Sequence, residues 1–305
     1  MERFIKKGVL LSLIFFIFSF IFLKVVDFGL KKERLGWIKE GNVNAEVLIL
    51  GSSRAYRHFN SDFLSKTLGM KFFNLGYDAS GLETQLVLLE YYLKNNATPK
   101  IIVWEYNYGF LNFDPNVYEY IDLIPLVDDP LVSDYLIDHE IISERILYFP
   151  LSRYLVYKEL IKKGLNNLSK DEPFKDYKIQ DLNWDKHNLE KLYLNSDYKI
   201  EKEISNQYLN QYRNTIDKLK NIGVKVVMVF TPIYSGIYQK EDDKVLLLDF
   251  YDSLFFSVKV LNINYNDSDL SRDTLNFYNV LHMNKKGVDS FMVDFERDIK
   301  RSLDE

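Results

Sequence analysis

Val47-Leu48-Ile49-Leu50-Gly51-Ser52-Ser53-Arg54 is an apolar run that ends at a glycine and two hydroxyl residues. A short apolar run bounded by turn residues is typical of a buried strand in a parallel sheet. Gly51 allows a sharp turn, and a helix that begins directly afterwards would bring its first amides next to Ser53. The two serines are therefore predicted either to carry chemistry at the end of a strand or to cap the helix that follows.

The rest of the chain alternates between strand and helix patterns. Strands are predicted at 45–50, 71–75, 100–105, 224–230 and 258–263, and helices at 61–68, 82–94, 200–221, 240–256 and 285–303. This alternation favours a five-stranded parallel sheet covered on both faces, that is, a three-layer α/β/α, flavodoxin-like fold. In its strand order, 2-1-3-4-5, ligands bind beside the carboxyl end of strand 1, where Ser53 lies.

Residues 111–199 interrupt the alternation and are rich in Tyr, Asp, Leu and Asn with scattered prolines. We interpret them as a helical insertion, or cap, after strand 3 within a single domain that spans 35–305. Such insertions often cover an active site. The aromatic residues in this region would either stack on sugar rings or pack a small helical subdomain; they are Tyr118, Tyr120, Tyr135 and Trp184.

The N-terminal segment predicts a membrane anchor. Gly8 to Leu23 carries no charge, and the apolar segment reaches Val26 if Lys24 extends toward the head groups, which is long enough to cross a bilayer. The residues that follow do not form a small-x-small cleavage site, which favours an uncleaved anchor over a signal peptide. Basic residues flank both ends, so orientation is predicted from the short leading tail and the large following domain, which would lie outside the cytoplasm. Residues 1–34 would form the tail, anchor and linker.

Composition excludes several classes of function. Lys and Arg number 39 against 44 Asp and Glu, for a net charge of −5, and the basic residues form no dense block, so no nucleic-acid partner is expected. The chain has no cysteine, which excludes disulfides, thiolate metal sites and a cysteine nucleophile. No metal and no cofactor is predicted.

A second motif, Asn279-x-x-His282-x-Asn284-x-x-Gly287, precedes the last predicted helix. His282 is the candidate general base because the other three histidines have weaker contexts. His58 lies five residues after Ser53, a spacing that does not point back at it, while His139 and His187 fall in the insertion. Ser53 and His282 would supply a nucleophile and a base.

These two motifs, in this order, resemble the first and last blocks of the SGNH (GDSL-like) hydrolase superfamily, across roughly 45–110 and 200–300. More narrowly, the chain is similar to membrane-anchored bacterial members associated with O-acylation of surface polysaccharides. The resemblance implies that Ser53 is the nucleophile, with Ser52 in place of the usual aspartate, and that His282 is the base. It also implies that the Ser53 and Gly76 amides and the Asn107 side chain hold the oxyanion.

One position departs from the family pattern, since Asn279 stands where the family has an aspartate. An asparagine can orient an imidazole but cannot stabilise the imidazolium by charge. An aspartate of the preceding loop would replace it, or turnover would be slow, or the chain would be a non-catalytic relative; the candidate aspartates are Asp267, Asp269 and Asp273.

Two functions therefore remain open. The first is a serine esterase or O-acyltransferase that acts on acyl esters of a cell-surface glycan. The second is a non-catalytic glycan-binding or scaffold subunit that assists a polytopic membrane acyltransferase. A Rossmann-like nucleotide-binding protein is disfavoured because Gly51-Ser52-Ser53-Arg54 lacks the Gly-x-Gly-x-x-Gly that admits a pyrophosphate.

Overall fold

The computed structural model describes residues 1–112, 114, 116–148, 150–170, 174–185, 204–237 and 241–304. Its contacts divide the chain into two compact units. Met1–Asn42 and Glu119–Lys175 form the first unit, while Val43–Tyr118 and Asp176–Glu305 form the second. His187 and the predicted helix start at Ile200 lie outside the described residues.

The second unit contains a parallel sheet of five strands, which confirms the predicted fold class. The strands follow the order β2-β1-β3-β4-β5, and every pairing is parallel. They are β1 (Val47–Leu50), β2 (Phe72–Asn74), β3 (Ile101–Glu105), β4 (Lys225–Phe230) and β5 (Leu261–Asn264). Because all strands run the same way, the residues that follow β1, β2 and β3 emerge at one edge of the sheet.

Helices connect and flank these strands. In chain order they are α1 (Glu2–Leu30), α2 (Arg34–Lys39), α3 (Ser53–His58), α4 (Ser61–Leu68), α5 (Leu82–Asn95), α6 (Pro130–Asp138), α7 (Arg145–Tyr148), α8 (Pro150–Val156), α9 (Glu159–Leu168), α10 (Asn206–Asn221), α11 (Glu241–Ser257) and α12 (Lys285–Asp304). One face of the sheet packs against α3, α4 and α12 through a core that includes Ile49, Val103 and Phe291. On the other face, Trp104 of β3 contacts Tyr212 of α10 at 5.7 Å between ring centroids.

Two boundaries lie three or more residues from their predicted positions. Strand β5 begins at Leu261 because Lys259 adopts a positive φ of 50°, and the amides of Val258 and Val260 bond back to α11, which closes that helix. Helix α10 begins at Asn206, where the Ser205 side chain accepts a hydrogen bond from the Tyr208 amide as an N-cap.

The first unit is built on α1, which is long and apolar enough to cross a membrane. Its last turns pack against α9 at a glycine contact. A Cβ on Gly164 would lie 2.6 Å from the Val26 carbonyl oxygen, and one on Gly29 would overlap the Gly164 backbone. These two glycines let the helix backbones meet directly. Helices α6 to α9, which belong to the predicted insertion, lie in this unit.

Candidate active site

The end of β1 is shaped by Gly51, whose φ of 145° is unfavourable for other residues. A Cβ there would lie 2.7 Å from Cβ of Glu105, so glycine is also needed for the close approach to the end of β3. Ser52 follows as the N-cap of α3, with its hydroxyl accepting from the Arg54 amide at 3.4 Å. Ser53 is the first residue of the helix. The two predicted roles are therefore divided between the serines: Ser52 caps the helix, and Ser53 is the residue placed for chemistry at the end of the strand.

Ser52 belongs to a buried, charged network. Its amide and hydroxyl donate to Oε2 of Glu105 at 2.9 and 2.8 Å, and Arg54 Nε donates to Oε1 at 2.8 Å. The Glu105 side chain is 0% exposed and that of Arg54 is 5% exposed. A carboxylate at the end of the apolar strand Ile-Ile-Val-Trp-Glu requires a cation or hydrogen-bond donors when it is buried. The position of Glu105 in this apolar run could therefore have indicated a buried ion pair from the sequence. The carboxylate nearest the two serines is thus bound to Ser52 and Arg54.

Ser53 belongs to a second chain of hydrogen bonds, made only of neutral groups. Its Oγ lies 2.8 Å from Nε2 of His282, and Nδ1 of the same ring lies 3.0 Å from Oδ1 of Asn279. Because an amide oxygen only accepts, Nδ1 must carry the ring proton. Nε2 then presents a lone pair to the Ser53 hydroxyl, which is the arrangement that a general base needs.

The orientation of Asn279 is fixed by its own loop. Its Oδ1 also accepts from the amides of Leu281 at 3.0 Å and His282 at 2.9 Å, so all three donors point at the oxygen. The loop aspartates make other contacts: Asp267 accepts from Asn266, Asp269 pairs with Arg272, and Asp273 caps the Leu275 amide. Asn279, and not one of these aspartates, is the partner of Nδ1.

His58, which the sequence analysis set aside, supports the loop that carries His282. The Met283 amide donates to His58 Nε2 at 3.0 Å, so Nδ1 carries the proton and donates to Thr231 Oγ1 at 3.0 Å. The His58 ring is fully buried and stands edge-on to that of His282, with centroids 6.0 Å apart. The spacing from Ser53 disfavoured His58 as a base, but it gave no indication that His58 would hold the loop of His282 through the Met283 amide.

The surroundings of His282 disfavour its protonation. Burial, followed by the positive charges of Arg57 and Arg54, lowers the pKa of His282 to about 3. Arg57 is held near the ring by Asp78, with two bonds at 2.9 and 2.7 Å, and by the Tyr278 hydroxyl at 3.1 Å. The imidazole is therefore neutral near pH 7, with a lone pair on Nε2, but it is a weak base because the imidazolium formed during catalysis lacks a compensating charge.

The three expected oxyanion donors differ in their contacts. The Ser53 amide is the first of α3, and no hydrogen bond from it is found among the described residues. The Gly76 amide donates to Asn74 Oδ1 at 2.9 Å, so it could bind an oxyanion only by sharing that hydrogen. Asn107 accepts from the Gly109 amide through its Oδ1 at 2.8 Å, which leaves its NH2 group outside that bond.

The aromatic residues expected either to stack on sugar rings or to pack a small subdomain are mostly packed against neighbours. Trp184 contacts Tyr234 at 4.9 Å between centroids, Tyr135 contacts His139 at 4.5 Å and Tyr120 contacts Tyr157 at 6.2 Å. Tyr118 remains 46% exposed. Within the part of the chain that the structure describes, no group of three or more His, Asp or Glu side chains is arranged to hold a metal ion.

Comparison with known proteins assigns no role to individual residues of this chain. No family profile and no curated protein matches the chain. Among solved structures, the chain is similar to the crystal structure of a candidate acylhydrolase from Bacteroides fragilis, with a TM-score of 0.45 and 11% sequence identity over 89% of this chain and 98% of that one.

Proposed function

We propose that this protein is a membrane-anchored, extracytoplasmic serine esterase or O-acyltransferase of the SGNH type, acting on acyl esters of a cell-surface glycan. The observation that carries the proposal is the hydrogen-bonded line from Ser53 through His282 to Asn279. It lies at the carboxyl end of β1, where a sheet of this order binds its ligands. Ser53 and His282 are partly exposed, so an ester can reach them.

The reaction would proceed through an acyl-enzyme. The Ser53 oxygen attacks the ester carbonyl carbon while its proton passes to Nε2 of His282, giving a tetrahedral oxyanion. The oxyanion collapses, the bond to the leaving alcohol breaks, and Nε2 returns the proton to that oxygen. Water or an acceptor hydroxyl then attacks the acyl group by the same steps in reverse, regenerating Ser53. The Ser53 amide, the Asn107 NH2 group and Gly76 are the proposed oxyanion donors.

Asn279 sets the expected rate. In a serine protease, replacing the triad aspartate by asparagine lowers turnover about 10⁴-fold, in large part through the wrong histidine tautomer. Here the backbone amides of Leu281 and His282 fix the Asn279 oxygen toward Nδ1, so the tautomer is retained. Only the charge is missing, and we infer slow but measurable turnover.

The cellular placement follows from α1. An uncharged segment from Gly8 to Leu23 after a short basic tail, and a large domain after it, favour an anchor with its N-terminus inside. The second unit would then face the cell-surface glycans that carry acyl esters. A reporter that is active only in the cytoplasm, fused after Glu305, should be inactive; an active fusion would contradict this orientation.

The second candidate is a scaffold that binds glycan and assists a polytopic membrane acyltransferase. Asn279 and the lowered pKa of His282 favour it, because both disfavour the charged imidazolium. A fluorophosphonate probe separates the two functions in the full chain in detergent. The enzyme should be labelled at Ser53 alone, with labelling lost in Ser53→Ala and kept in Ser52→Ala. A folded protein that takes no label would favour the scaffold.

A further inference from the structure

A cleft of about 390 Å³ opens in the first unit beside the last turns of α1. Its wall includes Lys24, Asp27 and Phe28 of α1 and Arg153 of α8. The cleft begins where the uncharged segment of α1 ends, at Lys24. At ~1.5 Å per residue, the stretch from Lys24 to Lys31 rises by about 10 Å, which is long enough to cross a head-group layer of roughly 5–8 Å.

The charges that line the cleft leave one positive charge unmatched. There are four cationic side chains, Lys24, Lys31, Lys39 and Arg153, and three carboxylates, Asp27, Glu40 and Asp128. Lys31 pairs with Glu40 at 2.8 Å. Asp128 is shared by Lys39 at 3.1 Å and Arg153 at 3.0 Å, and Asp27 accepts from the Tyr154 hydroxyl. Lys24 has no carboxylate partner among the described residues and lies over the ring of Phe20, 5.5 Å from its centroid.

Arg153 supplies a second, independent observation. The residue is only 8% exposed, and its Nε has no hydrogen-bond partner within the described residues although it is buried. Its Nη1 is bonded to the half-exposed Asp128, so one edge of the guanidinium has an unused donor. A buried donor without an acceptor is unfavourable, and guanidinium groups bind phosphate oxygens with two parallel hydrogen bonds.

The remaining wall is apolar. Phe28, Leu30, Pro125 and Leu126 line the cleft, and Phe28 is 60% exposed along α1. A ligand that satisfies both parts of the cleft has one negative charge, phosphate oxygens and an apolar tail that can continue along α1 toward the bilayer. A phosphodiester lipid meets each of these requirements.

We propose that this cleft binds the phosphodiester head group of a membrane phospholipid, with the guanidinium of Arg153 and the ammonium of Lys24 donating to the phosphate and the acyl chains lying along α1. The binding would fix the depth of the first unit in the head-group layer. This inference depends on the proposed insertion of α1 in the membrane and is independent of the chemistry at Ser53.

The test is native mass spectrometry of the full chain released from a neutral detergent, titrated separately with phosphatidylglycerol and with inorganic phosphate. We expect one phosphatidylglycerol to remain bound, and at least about tenfold weaker binding in Arg153→Gln and in Lys24→Gln. Arg145→Gln, an exposed arginine of α7 outside the cleft lining, is the matched control and should bind as the wild type does.

Equal binding by the wild type, Arg153→Gln and Lys24→Gln would overturn the proposal. Inorganic phosphate binding as tightly as phosphatidylglycerol would also overturn it, because the apolar wall would then contribute nothing. Lys24 is exposed, so Lys24→Gln should fold. If Arg153→Gln fails to fold, the phosphatidylglycerol binding of Lys24→Gln tests the proposal. Fluorophosphonate labelling of Ser53 should be unchanged in these variants, so failure of lipid binding and failure of the esterase proposal remain distinguishable.

Discussion

Ser52 and Ser53 are adjacent in sequence but belong to two different hydrogen-bond chains. The Ser52 hydroxyl donates to the buried carboxylate of Glu105, which in turn pairs with Arg54. The Ser53 hydroxyl meets the neutral imidazole of His282, which is held by the neutral amide of Asn279. The first chain contains two buried charges and the second contains none.

This difference separates stability from reactivity. Removing one partner of a buried ion pair destabilises the folded protein, because the other charge stays buried without water or a counter-charge. The hydrogen-bonded groups of Ser53, His282 and Asn279 are neutral and partly exposed, so replacing one of them should change the free energy of unfolding little. The same groups transfer the proton in the proposed reaction. Substitutions in the Ser52 chain should therefore act on the free energy of unfolding, and those in the Ser53 chain on turnover.

The largest effect is expected for Ser53→Ala. Removing the nucleophile should lower ester turnover by at least about 10³-fold, while the midpoint of thermal unfolding stays near that of the wild type. Hydrolysis of p-nitrophenyl acetate by the full chain measures the first quantity and circular dichroism the second. Unchanged turnover would place the reactive group elsewhere.

Glu105→Gln should have the next largest effect, on stability. It leaves the Arg54 charge buried without a carboxylate, which costs about 3–5 kcal/mol in the free energy of unfolding. Urea denaturation measures the change. Glu46→Gln is the control, because Glu46 pairs with Lys100 in a largely exposed bridge, and exposed ion pairs contribute little to the free energy of unfolding. Equal losses in the two variants would contradict the structural role of the buried pair.

The pH dependence of turnover tests the environment of His282. Its pKa is lowered to about 3, so the base stays neutral as pH falls, and kcat/KM should stay constant until it decreases near pH 3. A histidine with an ordinary pKa near 6.5 would be protonated at pH 5 and lose about 30-fold in rate. An acidic limb near pH 6.5 in the wild type would contradict the effect of burial and of Arg57 and Arg54.

Asn279→Asp should raise turnover by about one power of ten or more, because a carboxylate stabilises the imidazolium. All three bonds to Asn279 are accepted by its Oδ1, so an aspartate preserves them. The added charge also raises the pKa of His282, and the acidic limb should move to higher pH. Ser53→Ala in the same background should abolish the gain, and a gain that survives it would assign the activity to another site.

Ser52→Ala should have the smallest effect. It removes the N-cap of α3 and one bond to Glu105, at a cost of about 1–2 kcal/mol in unfolding. Turnover at a temperature where the variant is folded should stay within a few-fold of the wild type. A loss of turnover comparable to that of Ser53→Ala would mean that the two chains are not separate.

Much of this architecture could be predicted from local patterns. The apolar run that ends at Gly51 marks β1, and the alternation of strands and helices predicts the parallel sheet. The order of its strands comes from the doubly wound fold to which such sheets belong. The sheet depends on periodicity and turn chemistry, which a sequence shows directly. The pairing of Ser53 with His282 instead follows from the resemblance of their two motifs to the SGNH blocks and from the weaker contexts of the other histidines, and the two side chains lie 2.8 Å apart.

The contacts that depend on tertiary packing could not be predicted. His58 bonds to Thr231 and to the Met283 amide across the fold, and no local pattern indicates this. Glu105 and Arg54 find each other only because β1 and β3 are neighbours. The start of β5 was misplaced because Lys259 takes a left-handed conformation that its residue type does not suggest.

The most direct measurement is to trap the acyl-enzyme. The full chain in detergent is incubated with p-nitrophenyl acetate, quenched in acid and digested, and the peptides are examined by mass spectrometry. We expect one acetyl group on Ser53 in the wild type and none in Ser53→Ala or His282→Ala. Acetylation spread over other residues, or a folded protein that carries none on Ser53, would contradict the account.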